Sequence, residues 1–385
     1  MTSGRSKLRT VSDTLVIVLF LVTISLPQLT SLLRPSQALV AAENRPLVPK
    51  PEFKWKPETL DAFPARYEAY YNDHFGFRHT LIHWLNIAQS IWLKTSTSPK
   101  VIIGKHDWLF YTIEPVGNDY PSQKPFSPVE LTRWQHMLER RRDWLAARGI
   151  LYIFVIAPDK QSIYPEHLTR AVRRRYSQET RIDQLVAYFN SHSDFRILDL
   201  RDSLQEAKLR DLLYSRTDSH WNQRGAFVAY QTLMEKIAQQ YPDVKPLPRS
   251  MFESIVKPSK GGDLAQMLGL EKRLPEDILD LVPRFQRRAK KVDAGYSVLL
   301  PPQMQPFAME TSDSTLPRAV IFRDSFADAL IPFLSEHFQR VFYLWQEPYE
   351  FDFAAIEREK PAIVIQEIVE RKLGFGFPLH SPTGI

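Results

Sequence analysis

Two short segments carry residue types able to perform nucleophilic chemistry. The first is Phe322-Arg323-Asp324-Ser325-Phe326, which follows the apolar run AVIF (319–322) and opens a stretch of helical pattern. A serine on a strand-to-helix turn stands at the carboxyl edge of a sheet, where open α/β sheets build their sites. Its backbone N–H and that of Phe326 are expected to point from the helix start toward an oxyanion. A serine hydroxyl is a weak nucleophile at neutral pH and needs a base. The second segment, Thr217-Asp218-Ser219-His220-Trp221-Asn222, supplies one. An aspartate two residues from a histidine in extended chain lies on the same side. Asp218 is thus placed to accept from Nδ1 of His220 and leave Nε2 free. Each segment alone also reads as plain helix capping: Asp324 or Ser325 as one cap, Asp218 as another beside a surface histidine. Together they are complementary, because serine, histidine and aspartate form a triad in any chain order.

Other chemistries have less support. The chain contains no cysteine, which removes thiol nucleophiles, disulfides and thiolate metal sites. No H-E-x-x-H pattern occurs, and neither a metal nor a cofactor is expected. With 50 Lys+Arg against 44 Asp+Glu, the net charge is +6 and the pI about 9.2. This reads as an ordinary solvated surface. Without zinc-finger spacing or an RRM-like motif, nucleic acid is not an expected partner.

The elements around these segments must place them on one sheet edge. Ser127, Pro128 and Glu130 predict a capped helix start. Leu131, Trp134, Leu138 and Leu145 give that helix an apolar face, and Gly149 ends it. ILYIFVIAP then reads as a strand buried on both faces. A helix over 178–190, a strand FRILDL (195–200) and a helix over 222–240 capped by Asn222 follow. Next come strand AVIF, a helix near 326–337, strand VFYLW (341–345) and strand AIVIQEIV (362–369), with a helix between the last two. Ile102 to Tyr111 reads as a strand pair around Lys105-His106-Asp107. Residues 243–317 break the pattern as a loop-rich insertion. Residues 59–96 read as helical, with their aromatics expected in a core. Such alternation predicts an α/β fold with a mainly parallel sheet flanked by helices.

The N-terminus speaks to location. Arg5, Lys7 and Arg9 precede an uncharged run from Thr14 to Leu33. At 1.5 Å per residue, ~20 helical residues span a ~30 Å hydrocarbon core. Basic residues before the run predict a cytoplasmic N-terminus. The expected organisation is a cytoplasmic start and transmembrane signal-anchor over 1–34, a Pro-rich linker over 35–58, and one domain over 59–385. A signal peptide cut near Ser36-Gln37-Ala38 is the alternative.

The pairing of Asp218-Ser219-His220-Trp221 with Arg323-Asp324-Ser325-Phe326 resembles the alginate O-acetyltransferase (AlgJ/AlgX-like) family and its SGNH-hydrolase-like domain. Further segments agree: Gly104 to Tyr111 (GKHDWLFY), Ala157-Pro158-Asp159-Lys160 with Ile163-Tyr164-Pro165-Glu166, Gly262-Asp263-Leu264, and Gln366-Glu367 with Glu370-Arg371. The similarity runs from about residue 60 to residue 373. Arg323 departs from the family pattern, standing where glycine usually precedes Asp-Ser. The resemblance implies transfer of acetyl groups to a polysaccharide in the periplasm, with catalysis by Asp218, His220 and Ser325. It also implies a membrane-bound O-acyltransferase partner delivering the acetyl group, because acetyl-CoA is cytosolic. Trp221, Arg323, Lys160 and Tyr343 are candidate substrate contacts, with Trp345 a further stacking surface. Glu370 and Arg371 are expected to pair with each other. A periplasmic acetylesterase using the same triad, and a non-enzymatic glycan-binding protein, are the competing readings.

Overall fold

The computed structural model describes residues 13–27, 48–53, 55, 57–112, 125–176, 179–295 and 298–375. The chain forms two compact units, Met1–Lys94 and Thr95–Ile385.

In the first unit, residues 13–27 are helical. The rest of the predicted span, 28–33, and most of the predicted linker lie outside the described residues. Among the described residues, no helix is long and apolar enough to cross a membrane. The predicted helix over 59–96 is two: α1 (Pro57–His74) and α2 (Arg78–Ile87). They are separated by a short turn, and Phe77, with a left-handed φ of 67°, stands at the N-cap of the second. The aromatics pack partly along the helices, Tyr70 against His74 at 4.2 Å and Tyr71 against Phe75 at 5.7 Å. Tyr67, Leu81, Trp84 and Leu85 instead stay 44 to 55% exposed. Ile87, by contrast, is buried at 3%.

The second unit is built on a seven-stranded sheet. Its strands, named in chain order with those of two separate hairpins, are β1 (Val101–Ile103), β2 (Leu109–Tyr111), β3 (Leu151–Ala157), β4 (Leu198–Asp199), β5 (Phe252–Ser259), β6 (Glu276–Pro283), β7 (Lys290–Val292), β8 (Phe307–Glu310), β9 (Arg318–Arg323), β10 (Arg340–Trp345) and β11 (Ile363–Val369). The main sheet runs β4-β3-β11-β9-β10-β8-β7. Pairing is parallel from β4 through β10 and antiparallel from β10 through β8 to β7. The sheet is thus mixed. The expected insertion over 243–317 supplies its antiparallel edge and, separately, the β5–β6 hairpin. The β1–β2 pair forms as expected, with Ile103 opposite Leu109 across the turn.

Helices cover both faces because alternate side chains along each strand face opposite ways. Ile153, Val155, Ile321, Val341 and Ile365 enter one core, shared with Phe227, Tyr230 and Met234. Tyr152, Phe154, Val320, Phe322, Phe342 and Val364 enter the other, shared with Trp134, Leu138, Ile182 and Phe189. The helices supplying these residues are α3 (Pro128–Ala146), α4 (Arg181–His192) and α6 (Gln223–Ala238), with α5 (Arg201–Lys208) preceding the last. Ser127 and Glu130 form the predicted capping box. Thr180 and Asp183 form a second one at α4, and Asn222 caps α6 through the N–H groups of Arg224 and Gly225.

Two expectations change. FRILDL pairs only over Leu198–Asp199, because this edge strand meets β3 at just two positions. The helix expected near 326–337 is a chain of short turns, Ser325–Ala329, Ile331–Leu334 and Ser335–His337. Pro332 lies inside it and lacks the amide proton a continuous helix needs.

Candidate active site

Strand β11 lies between β3 and β9, and all three run parallel. Three loops therefore leave one sheet edge side by side: Pro158 to Lys160, Asp324 to Ser325, and Glu370 to Arg371.

The turn after β9 is fastened to its neighbour. Asp324 is buried, and its carboxylate accepts from the N–H groups of Phe326 and Val369, each at 2.9 Å. Its own N–H donates to Glu367 at 3.1 Å. Burial, and then the charge of Asp324, push the Glu367 carboxyl well above its usual range. Ser325 opens the turn and is partly exposed. The expected pair of oxyanion donors is reduced by this arrangement. The Phe326 N–H is taken by Asp324, whereas the Ser325 N–H has no acceptor among the described residues.

His220 arrives from the loop between α5 and α6, shaped by an antiparallel bridge between Tyr214 and Trp221. Its Nε2 lies 2.9 Å from Ser325 Oγ, and its Nδ1 lies 2.8 Å from Asp218 Oδ1. An ionised carboxylate only accepts, so this network assigns the proton to Nδ1 and leaves Nε2 facing the serine hydroxyl. The ring packs 5.0 Å from that of Phe326. Burial opposes a charged imidazole, but the hydrogen bond and charge of Asp218, with the charge of Asp263, hold His220 above the ordinary histidine range. For Asp218, burial opposes ionisation and the bond from His220 outweighs it, holding the carboxyl at about 2.

Asp263 was not expected from sequence to act here. Its carboxylate accepts from Ser219 N at 2.7 Å and Ser219 Oγ at 2.5 Å, and reaches within 3.7 Å of His220 Nδ1. The Asp263 N–H donates to Asp218 Oδ2 at 3.2 Å. Gly262 permits this approach, because a Cβ there would stand 2.5 Å from Asp218 Cβ. Asp218, His220 and Asp263 bring potential ligand atoms within 4.8 Å of one another. Both histidine nitrogens, however, already face protein partners. The signal for this buttress was the Gly-Asp pair itself, whose distance from the triad in sequence concealed it.

The four candidate substrate contacts need correction. Lys160, Arg323, Tyr343 and Trp221 are only 1, 2, 0 and 4% exposed, so none presents a surface to a sugar ring. Trp221 Nε1 donates to the Phe326 carbonyl at 3.0 Å, and Tyr343 shares a hydrogen bond with Ser335 at 2.9 Å. Arg323 pairs with Asp328 at 2.5 Å, its guanidinium beside the rings of Phe307 and Trp345. Lys160 donates to backbone carbonyls. Trp345 is partly exposed. Nor do Glu370 and Arg371 pair together. Arg371 binds Asp159, while Glu370 accepts from Asp159 N at 2.9 Å and Ser162 Oγ at 2.6 Å. Glu166, in the segment that carries the resemblance, pairs with Lys208 at 2.9 Å.

A serine, a histidine and an aspartate stand in hydrogen-bonded series at the carboxyl edge of parallel strands, a constellation of acyl-transfer enzymes that recurs on unrelated α/β folds. Residues 101–346, more than half of the chain, match the family described as "SGNH hydrolase-like domain, acetyltransferase AlgX", and the chain belongs to that family. A protein named probable alginate O-acetylase AlgJ from Pseudomonas syringae pv. tomato is 27% identical over 228 residues, 59% of this chain and 56% of that protein. The one so named from Azotobacter vinelandii is 24% identical over 300 residues, 74% and 72% of the two chains. The chain thus spans little more than half the length of the first of these relatives. The solved structure of Bacillus cereus PatB1 shares the fold, with a TM-score of 0.53 at 18% identity, covering 71% of this chain and 96% of that one.

Proposed function

We propose that this protein is an O-acetyltransferase that moves acetyl groups onto hydroxyls of an exopolysaccharide through an acyl-enzyme at Ser325. The observation that carries the reading is the unbroken series Asp218–His220–Ser325, with contacts of 2.8 and 2.9 Å. The family's description as acetyltransferase supports the choice of acyl group.

In the first half-reaction, His220 Nε2 takes the Ser325 proton as Oγ bonds to the acetyl carbonyl carbon. The donor's leaving group then departs, taking that proton from His220. In the second, His220 removes the proton of a sugar hydroxyl as its oxygen attacks the acyl-enzyme. Collapse releases Oγ, which recovers the proton. The free Ser325 N–H is positioned as one donor to the oxyanion. In this reading the chain is held at the bacterial inner membrane by the run over 14–33, preceded by Arg5, Lys7 and Arg9. The body lies in the periplasm, where a membrane-bound O-acyltransferase hands over the acetyl group. A periplasmic acetylesterase is the second reading, favoured by the partial exposure of Ser325 and His220, which admits water.

Incubating the protein with a chromogenic acetyl ester, with and without oligosaccharide acceptors, separates the two. Acetylated sugar detected by mass supports transfer, and free acetate as sole product supports the esterase. Ser325→Ala is expected to abolish both while leaving the fold intact. Undiminished turnover in that variant removes the acyl-enzyme from consideration.

A further inference from the structure

The deepest cation beside the site is turned onto backbone carbonyls, and the mechanism above makes no use of it. Lys160 follows β3 and is 1% exposed. An ammonium in such a place is costly unless all its donors are satisfied. Its three N–H groups have three acceptors: the carbonyls of Ser215 at 2.9 Å, Arg216 at 3.1 Å and Asp218 at 2.6 Å. The rings of Trp108 and Phe110, 5.6 and 5.4 Å away, close the space around it. No donor is left over for a ligand.

All three acceptors lie in the irregular segment that carries Asp218 and His220. The N–H groups of that segment are held separately. Glu276 accepts from Arg216 N at 2.8 Å, from Thr217 N at 3.2 Å and from the Thr217 hydroxyl. Asp263 accepts from Ser219 N at 2.7 Å. Outside helices and strands, this loop is thus fixed by a cation at its carbonyls and by carboxylates at its amides.

We propose that Lys160 is a positioning residue for the acid–base pair, gathering the carbonyls of Ser215, Arg216 and Asp218 and so setting the ring of His220 against Ser325. The inference rests on the acyl-enzyme reading above. The path is short: Lys160 Nζ to Asp218 O, then Asp218 Oδ1 to His220 Nδ1 at 2.8 Å, then His220 Nε2 to Ser325 Oγ at 2.9 Å. A shift of the loop therefore reaches the reacting atoms directly, and misplacement by 1 Å can cost roughly a hundredfold in rate. Burial lowers Lys160 to about 7, opposed by the charges of Asp218, Glu276 and Asp263. The charged groups facing His220 are Asp218, Asp263 and Arg371, with Asp328 within its field.

Two variants and two readouts test this. Lys160→Met removes the charge, and Lys160→Arg keeps it but replaces a compact ammonium with a planar head. The readouts are kcat/KM on an acetyl ester across pH, and the rate at which phenylmethylsulfonyl fluoride labels Ser325 across pH. Both variants are expected to retain the wild-type circular dichroism and to lose about 10- to 100-fold in both rates. Their acidic limb should move to lower pH, because a displaced Asp218 no longer supports the imidazolium. Simple loss of a nearby positive charge would move that limb the other way in Lys160→Met and leave Lys160→Arg unchanged. That pattern, or wild-type rates in either folded variant, overturns the proposal. Failure of both variants to fold assigns Lys160 to stability alone and also overturns it. Wild-type protein that neither turns over ester nor takes up label at Ser325 would instead remove the acyl-enzyme reading.

Discussion

At the residue scale, the candidate site is a contest between burial and local partners. Burial disfavours charge on both Asp218 and His220, yet their mutual hydrogen bond reverses the outcome for each. The imidazole must be neutral to accept the serine proton, and its pKa is raised. Activity is therefore expected to climb with pH through an acidic limb above the ordinary histidine value of about 6.5. In Asp218→Asn the carboxylate is gone, so the limb moves down in pH while kcat falls by roughly 10²- to 10⁴-fold. A pH profile of kcat/KM checks both signs, and an unmoved limb would show that another group sets it. The hydrogen-bonded series Asp218–His220–Ser325 joins residues that the sequence marks by type and by a two-residue spacing. The misjudged neighbours Trp221, Arg323, Lys160 and Tyr343 share a different trait. Each bears a polar group satisfied by a partner distant in sequence or set by the fold, and adjacency to a motif does not reveal that.

At the scale of elements, short irregular segments do the positioning, and the regular ones provide their anchor points. Strand β11 holds Asp324 through the Val369 N–H, and helix α6 is capped two residues beyond His220. The lobe over 243–317 read as an interruption, because its pattern lacks the alternation that marks βαβ units. It nevertheless supplies Glu276 and Asp263 to the loop carrying the triad. Gly262 is the tightest point of that contact. Its φ of −70° is open to any residue, so space rather than backbone freedom demands glycine. A Cβ there would meet Asp218 Cβ at 2.5 Å, Oδ2 at 2.7 Å and Cα at 2.8 Å. Gly262→Ala is accordingly expected to reduce kcat/KM by at least about tenfold, with a far smaller effect on melting temperature. A variant with wild-type kinetics would mean that the lobe gives way freely and does not brace Asp218.

For the molecule as a whole, a buried polar pair away from the site contributes to the response to acid. His337 is buried, with Nε2 2.6 Å from the Tyr230 hydroxyl. That hydroxyl also accepts from Leu247 N at 2.6 Å, which leaves its own proton available to a neutral His337. Burial, with the charge of Arg288 second, lowers this histidine to about 4. A depressed folded-state pKa means that the unfolded chain binds the proton first. The contribution to stability is complete above about 6.5 and is lost as pH falls toward 4. At about 1.4 kcal/mol per tenfold change, it amounts to roughly 3 kcal/mol. Denaturant midpoints measured across that window should fall with acid in the wild type and less steeply in His337→Gln. Equal slopes would place the acid sensitivity elsewhere.

What the sequence alone determined about this protein is local in origin. Strand alternation, the cap at Ser127, the cap at Asn222 and the complementary Asp218–His220 and Ser325 segments all depend on neighbours within a few residues. Those interactions are set by backbone geometry and side-chain type. Tertiary structure decided which carbonyls a lysine binds, which N–H an aspartate removes from the oxyanion site, and which lobe braces the triad. Each is a pairing of groups roughly 40 or more residues apart or hidden inside a turn. Burial gives these pairings their strength, and burial is a property of the assembled layers rather than of any segment.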